Sequence, residues 1–143
     1  VGKIRSRKVN MFGREWDSQT ELDYYIHLRE QKDIESIEIQ PVYTLLPRFF
    51  LKCGSCSGSG RVVSEKTGRE IQCKACKGEG KRGRQGAIYT ADFKVSYKDG
   101  SEEVIDVKGH ANEAFPMRKK LFEYTTGQEL VIIKRKGRGW VRA

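Results

Sequence analysis

The chain has 143 residues, of which 37% are hydrophobic, 33% charged and 10% aromatic. That suffices for one ordinary domain or a small core with an insert, and it excludes a multidomain enzyme built on a large cofactor-binding fold. The content is too apolar and too patterned for a disordered chain, and the longest apolar runs, Leu45-Leu46 and 130–133, are far too short to cross a bilayer. The formal charge of +9 is uneven: residues 1–52 carry 9 basic and 8 acidic side chains, 53–86 carry 8 and 3, and 87–143 carry 11 and 8. A basic excess in the middle, with more cations along 134–142, points to a polyanion such as DNA and not to a membrane. No N-terminal stretch resembles a signal peptide, so the expected location is the cytoplasm.

Taken in chain order, residues 1–15 read as basic and irregular. A helix is expected from Asp17 or Ser18 to about Lys32, because Ser18 and Glu21 fit a capping box and Leu22, Tyr25, Ile26 and Leu28 follow at helical spacing. Residues 37–46 read as one strand, with Pro41 marking an edge or bulge. Ile88–Tyr97 and Glu102–Val107 read as two strands around a turn at Asp99-Gly100. Phe115–Thr126 reads as a helix with Pro116 in its first turn and Gly127 as its stop, and 130–134 as a last strand. The order is helix, three strands, helix, strand: an α/β core formed by 1–52 and 87–143, with 53–86 inserted between the first two strands.

The four cysteines fall as two CxxC pairs, Cys53/Cys56 and Cys73/Cys76, with 16 residues between them. Two thiolates on one tight turn both reach a tetrahedral zinc ion, and two such turns close a four-sulfur structural site. Each pair continues as CxxCxGxG, Cys53–Gly60 and Cys73–Gly80. This resembles half of the cysteine-rich domain of DnaJ-type co-chaperones, in which such repeats pair around zinc. The insert has little core of its own beyond Val62, Val63 and Ile71, so the metal would have to hold it together.

The chemistry is expected in the hairpin. Residues opposite one another in an antiparallel ladder point to the same side. If Phe93 and Ile105 both face the core, partner numbers must sum to an even value. A two-residue turn pairs 98 with 101 and would bury Asp106 and Lys108. A three-residue turn, Lys98-Asp99-Gly100, pairs 97 with 101 and puts Gly100 in the left-handed position of a bulged hairpin. That register sets Asp92 opposite Asp106 with Lys108 on the same face. Facing carboxylates repel unless a hard divalent cation lies between them, and Mg²⁺ or Mn²⁺ fits such an oxygen site.

Asp92 followed by Asp106-Val107-Lys108 resembles the signature of the PD-(D/E)xK nucleases, whose core has the same helix, three strands, helix, strand order. The stretches YTADFKV, IDVKG and EIQP follow that pattern, with Ala91 in place of the proline and Asp106 as the shorter acid. The nearest likeness is to small phage-encoded members and to the endonuclease subunit of cut-and-paste transposition machineries. The resemblance implies a restriction-endonuclease-like fold and a Mg²⁺- or Mn²⁺-dependent endodeoxyribonuclease. Asp92, Asp106 and the Val107 carbonyl would hold the metal, and Lys108 would position water. Glu21 matches the carboxylate such nucleases take from the first helix, though as the third helical residue it also fits pure capping. Gln40 matches a glutamine near their site, or is a polar strand-edge residue. By analogy the substrate is a Holliday junction or other branched DNA, cut by a homodimer in recombination. The rival reading is an inactive zinc-finger DNA-binding adaptor. Among weaker candidates, His27 fits a surface or packing role, His110 a phosphate contact, and Lys119 and Lys120 a DNA backbone contact or a solvated face. Trp16 and Trp140 fit packing, with Trp140 also placed to stack on a base.

Overall fold

The computed structural model describes residues 7–109 and 115–143. Among these residues the fold is mixed α/β, mostly strands with two helices, and they divide into two compact units, one drawn from 1–43 and 89–143 and one from 44–88.

The first unit opens with a short hairpin, β1 (Val9–Met11) and β2 (Arg14–Trp16), where irregular chain was expected. Its two-residue turn has both central residues left-handed, Phe12 at φ 53° and Gly13 at φ 72°, the twist that suits a hairpin. Helix α1 (Gln19–Arg29) is capped by Ser18, whose Oγ accepts the Glu21 N–H at 3.1 Å. It ends before Lys32 because the N–H groups of Glu30 and Gln31 turn back to the carbonyls of His27 and Leu28 and tighten the last turn.

The single strand expected over 37–46 is two: β3 (Ile34–Ile39) and β4 (Val42–Leu46). They belong to different sheets. Between them Gln40 takes φ 54° and Pro41 removes a ladder donor, so alternation stops there. The strand expected over 88–97 likewise breaks at Ala91-Asp92 into β9 (Ala87–Thr90), which pairs with β4, and β10 (Phe93–Tyr97). β10 lies between β3 and β11 (Glu102–Val107), antiparallel to both. The chain then passes through α2 (Phe115–Thr126) to β12 (Leu130–Lys136), parallel to β11. The basic tail forms a further edge strand, β13 (Gly139–Arg142).

Odd-numbered residues of the central strands, Phe93, Val95, Ile105, Val107, Val131 and Ile133, cluster with Trp16, Leu22, Tyr24 and Leu28. Even-numbered Val104, Asp106, Leu130 and Ile132 are buried as well. Both faces are thus covered, as the parallel β11–β12 pair requires. Phe122 of α2 is fully buried, edge-on to Tyr43 at 4.9 Å.

In the second unit, β5 (Phe49–Lys52) pairs with β8 (Lys81–Arg84), and β6 (Arg61–Val63) with β7 (Glu70–Gln72). The cysteine pairs sit between these ladders. Among the described residues, no helix is long and apolar enough to cross a membrane.

Candidate functional site

The four thiols converge as the spacing predicts. Cys53, Cys56, Cys73 and Cys76 are buried, and their sulfurs all lie within 4.8 Å of one another. Cys53 and Cys73 are 4.0 Å apart and Cys56 and Cys76 are 3.7 Å apart. A tetrahedral site with metal–sulfur bonds of about 2.3 Å has edges of roughly 3.8 Å, so the cysteines are positioned to hold a metal ion.

The repeat spacing explains the local fold. Ser57 and Gly58, and equivalently Lys77 and Gly78, are left-handed, which wraps each knuckle around its cysteines. The N–H groups of Gly60 and Gly80 donate to the sulfurs of Cys56 and Cys76, both at 3.2 Å. The knuckles also bind each other, Cys53 N–H to Gly80 carbonyl at 3.0 Å and Cys73 N–H to Gly60 carbonyl at 2.8 Å. A Cβ on Gly60 would strike the Gly78 carbonyl, and one on Gly80 the Gly58 carbonyl, so both positions require glycine. Burial pushes the Cys56 thiol up, but the N–H groups of Gly60 and Gly58 and the neighbouring thiols of Cys76 and Cys53 outweigh it, leaving it at about 6 and ready to ligate.

A second cluster lies in the first unit where β10 begins and β11 ends. The hairpin has the expected register, Phe93 opposite Ile105 and Val95 opposite Glu103. Tyr97 N–H donates to Ser101 carbonyl at 2.8 Å, and Gly100 takes φ 89°. Asp92 precedes β10, and its Oδ2 accepts the Val107 N–H at 2.7 Å. Asp106 is 2% exposed. Its Oδ2 has no aligned hydrogen bond but lies 2.6 Å from Lys108 Nζ, which also sits 4.3 Å from the centre of the Phe115 ring. Burial, then the charges of Asp106 and Glu21, push Asp92 up to about 8 against the opposing Val107 N–H. Burial and Asp17 raise Glu21, which also feels Asp106 and Lys108.

The Glu21 N–H is thus held by the Ser18 cap while the Glu21 carboxylate shares the field of the hairpin acids. Gln40 stands at the break between β3 and β4. Its N–H donates to the Asp92 carbonyl at 2.9 Å, while its side chain receives from Arg14 at 3.3 Å and donates to Asp17 at 3.2 Å. The carboxylates of Glu21, Asp92 and Asp106 are less tightly gathered than the thiols: among the described residues, only the four cysteines form a group of three or more ligands within 4.8 Å.

Three neighbours of this cluster escaped the sequence reading. Tyr89 is buried, its hydroxyl makes no well-aligned hydrogen bond, and burial, then the charge of Asp106 and the approach of its carboxylate to that hydroxyl, raise its pKa. Simple alternation puts Tyr89 on the Phe93 face, but after the break at Ala91-Asp92 its ring packs against Phe122 instead. Arg14 and Asp17 reach Gln40 only because the β1–β2 hairpin forms; the Phe12-Gly13 pair was its one local signal. Of the weaker candidates, Trp16 and Trp140 pack, against Tyr25 and Tyr24 respectively with ring centres 4.9 Å apart in each case, and His27 stacks on Tyr24. The exposed tail is partly paired, Arg135 to Asp23 at 2.6 Å and Arg142 to Glu103 at 3.0 Å. Lys119 lies half-buried and Lys120 exposed on α2, while His110 lies outside the described residues.

Neither the curated proteins nor the solved structures give a match to this chain. One family model, described as a protein of unknown function (DUF1064), matches residues 1–137. With the match running over nearly the whole of both units, the chain belongs to the DUF1064 family.

Proposed function

We propose that this chain is a divalent-metal-dependent DNA endonuclease with a restriction-endonuclease-like core and a structural zinc site, acting on Holliday junctions or related branched DNA. The observation that carries the reading is the buried acid cluster. Asp106 keeps an oxygen without an aligned hydrogen bond, and Asp92 is pushed far above the ordinary carboxylate range by burial and by its acidic neighbours. Such crowding is costly unless a cation relieves it. The order α1, β3, β10, β11, α2, β12, with one parallel pair at β11–β12, supports the fold assignment.

Asp92 and Asp106 fit Mg²⁺ or Mn²⁺ as oxygen donors, with Glu21 and the Val107 carbonyl completing the set; bound there, the ion supplies Lewis-acid activation of a phosphodiester. The residues of the chain do the positioning. Val107 N–H fixes the Asp92 carboxylate, and Gln40 ties the Asp92 backbone to Asp17, the residue before the α1 cap. Lys108 offsets charge on the scissile phosphate and orients the attacking water. The four thiolates fit zinc, and the surrounding basic side chains contact phosphates, which positions DNA without reading its sequence.

A second reading, an inactive zinc-binding DNA adaptor, is favoured by the looser gathering of the carboxylates relative to the thiols. One experiment separates the two: linear, flapped and four-way-junction DNA incubated side by side with the protein over a Mg²⁺ and Mn²⁺ titration. The nuclease cuts the four-way junction. Asp92→Asn and Lys108→Ala each lower cutting at least about 100-fold while DNA binding changes little. If the wild type leaves every substrate intact, the adaptor reading stands.

A further inference from the structure

The β5–β8 ribbon has all eight residues exposed. The unit that holds it, residues 44–88, carries 10 basic and 3 acidic side chains, a net charge of +7 in a chain of +9. Strand alternation and the cross-strand register sort the ribbon into two faces. One holds Phe50, Lys52 and Lys81, and its ring is already engaged, with the Lys81 ammonium 4.6 Å and the Arg48 guanidinium 5.3 Å from the centroid. Gly83 leaves the space for Arg48, since a Cβ there would come within 2.6 Å of the guanidinium.

The other face holds Phe49 and Leu51, with Arg84 and Arg82 directly opposite them. Phe49 is 39% and Leu51 47% exposed. Among the described residues neither arginine is in an ion pair, and the ring of Phe49 makes no contact with another ring or a cation. A paired ribbon gains nothing from displaying a free aromatic ring and two unneutralised guanidinium groups to water. A partner with flat apolar faces strung on an anionic backbone satisfies all of them.

We propose that this face binds unpaired nucleotides, a base stacking on Phe49 while Arg82 and Arg84 hold the flanking phosphates. The inference rests on the DNA-directed reading above and deepens it, because unpaired bases at a branch point would mark the substrate. An acidic peptide would use the arginines but leave the ring unpaired. A duplex groove would meet the ribbon through its phosphates and base edges and gain nothing from stacking.

The test is fluorescence polarisation with labelled single-stranded oligo-dT and with a duplex of equal length, across a salt series. Phe49→Ala should weaken oligo-dT binding about tenfold and duplex binding less than twofold, and Phe49→Trp should retain it. Arg82→Gln with Arg84→Gln should flatten the salt dependence on oligo-dT by about 1.4 in log–log slope. Metal content per chain and far-ultraviolet circular dichroism of each variant must match the wild type. Unchanged binding by Phe49→Ala, or equal losses on single strand and duplex, overturns the proposal, as does displacement of oligo-dT by poly-glutamate to the same extent in wild type and Phe49→Ala. A protein that cuts no DNA but shows the Phe49 effect loses the nuclease reading and keeps this one. A cutting enzyme indifferent to Phe49 does the reverse.

Discussion

Asp92 sits among groups that oppose its ionisation: it is buried and faces two other carboxylates, with one backbone N–H in compensation. Because its folded-state pKa is raised from 3.8 to about 8, the folded protein holds its proton more tightly than the unfolded chain. The associated stability is fully present below pH 4 and is lost as pH rises through about 8. In metal-free protein the stability of the first unit should therefore fall across this window, by at most about 1.4 kcal/mol per pH unit, and its denaturation midpoint with it. Asp92→Asn should flatten the fall, and Mg²⁺ should restore midpoint in the wild type at pH 8. Tryptophan fluorescence reads this cleanly, since both tryptophans, Trp16 and Trp140, lie in the first unit and none lies in 44–88. A fall of equal steepness in Asp92→Asn would assign the pH dependence elsewhere. At this scale the sequence displayed the acids but not their surroundings. Asp92, Asp106 and Lys108 could be paired by counting residues, whereas Tyr89 and Arg14 arrive by way of a strand break and a left-handed Phe12 that no periodicity announces.

Among the elements, those with strong local signals were legible: the Ser18 cap, the 98–100 turn, α2 with its Gly127 stop, and the paired knuckles. The elements misread were strands in which a residue other than glycine turns the chain. Gln40 at φ 54° splits one expected strand, and a break at Ala91-Asp92 splits another, because the tertiary fold sends each half to a different sheet. Pro41 hinted at the first break; nothing local marked the second. The knuckles illustrate the opposite case, where spacing alone carries the geometry. Gly60 and Gly80 each fill a position where the other knuckle's backbone carbonyl leaves no room for a side chain, and both hold φ near 77°. Gly60→Ala and Gly80→Ala should each weaken metal binding by about tenfold or more, the scale of lost support around metal ligands. Gly54→Ala, which meets nothing within 4 Å, should leave it unchanged. Competition against a chromophoric chelator measures all three, and a Gly54 variant as weak as the other two would remove the steric explanation.

Viewed as a whole, the molecule has two units with different sources of stability. The first has a packed aromatic and aliphatic cluster of its own. Among its described residues the second has a cluster of the four cysteines, with Val62 against them, and leaves Phe49, Phe50, Leu51 and Val63 exposed. Small units of this composition depend on their metal. A strong chelator, or Cys53→Ser with Cys73→Ser, should expose the lysines and arginines of 44–88 to trypsin while the tryptophan-detected unfolding midpoint stays in place. If the midpoint collapses together with protease resistance, the units are not independently stable.

The turn at residues 98–100 has reach well beyond its size. Strands count by twos, so one residue fewer between β10 and β11 would slide the pairing by a single step. Asp106 would then share a side with Phe93 and Val95, wedged into the oily seam under α1, and Ile105 would swing to the opposite flank. A deletion on the rim would erase the acidic nook without touching any residue that lines it.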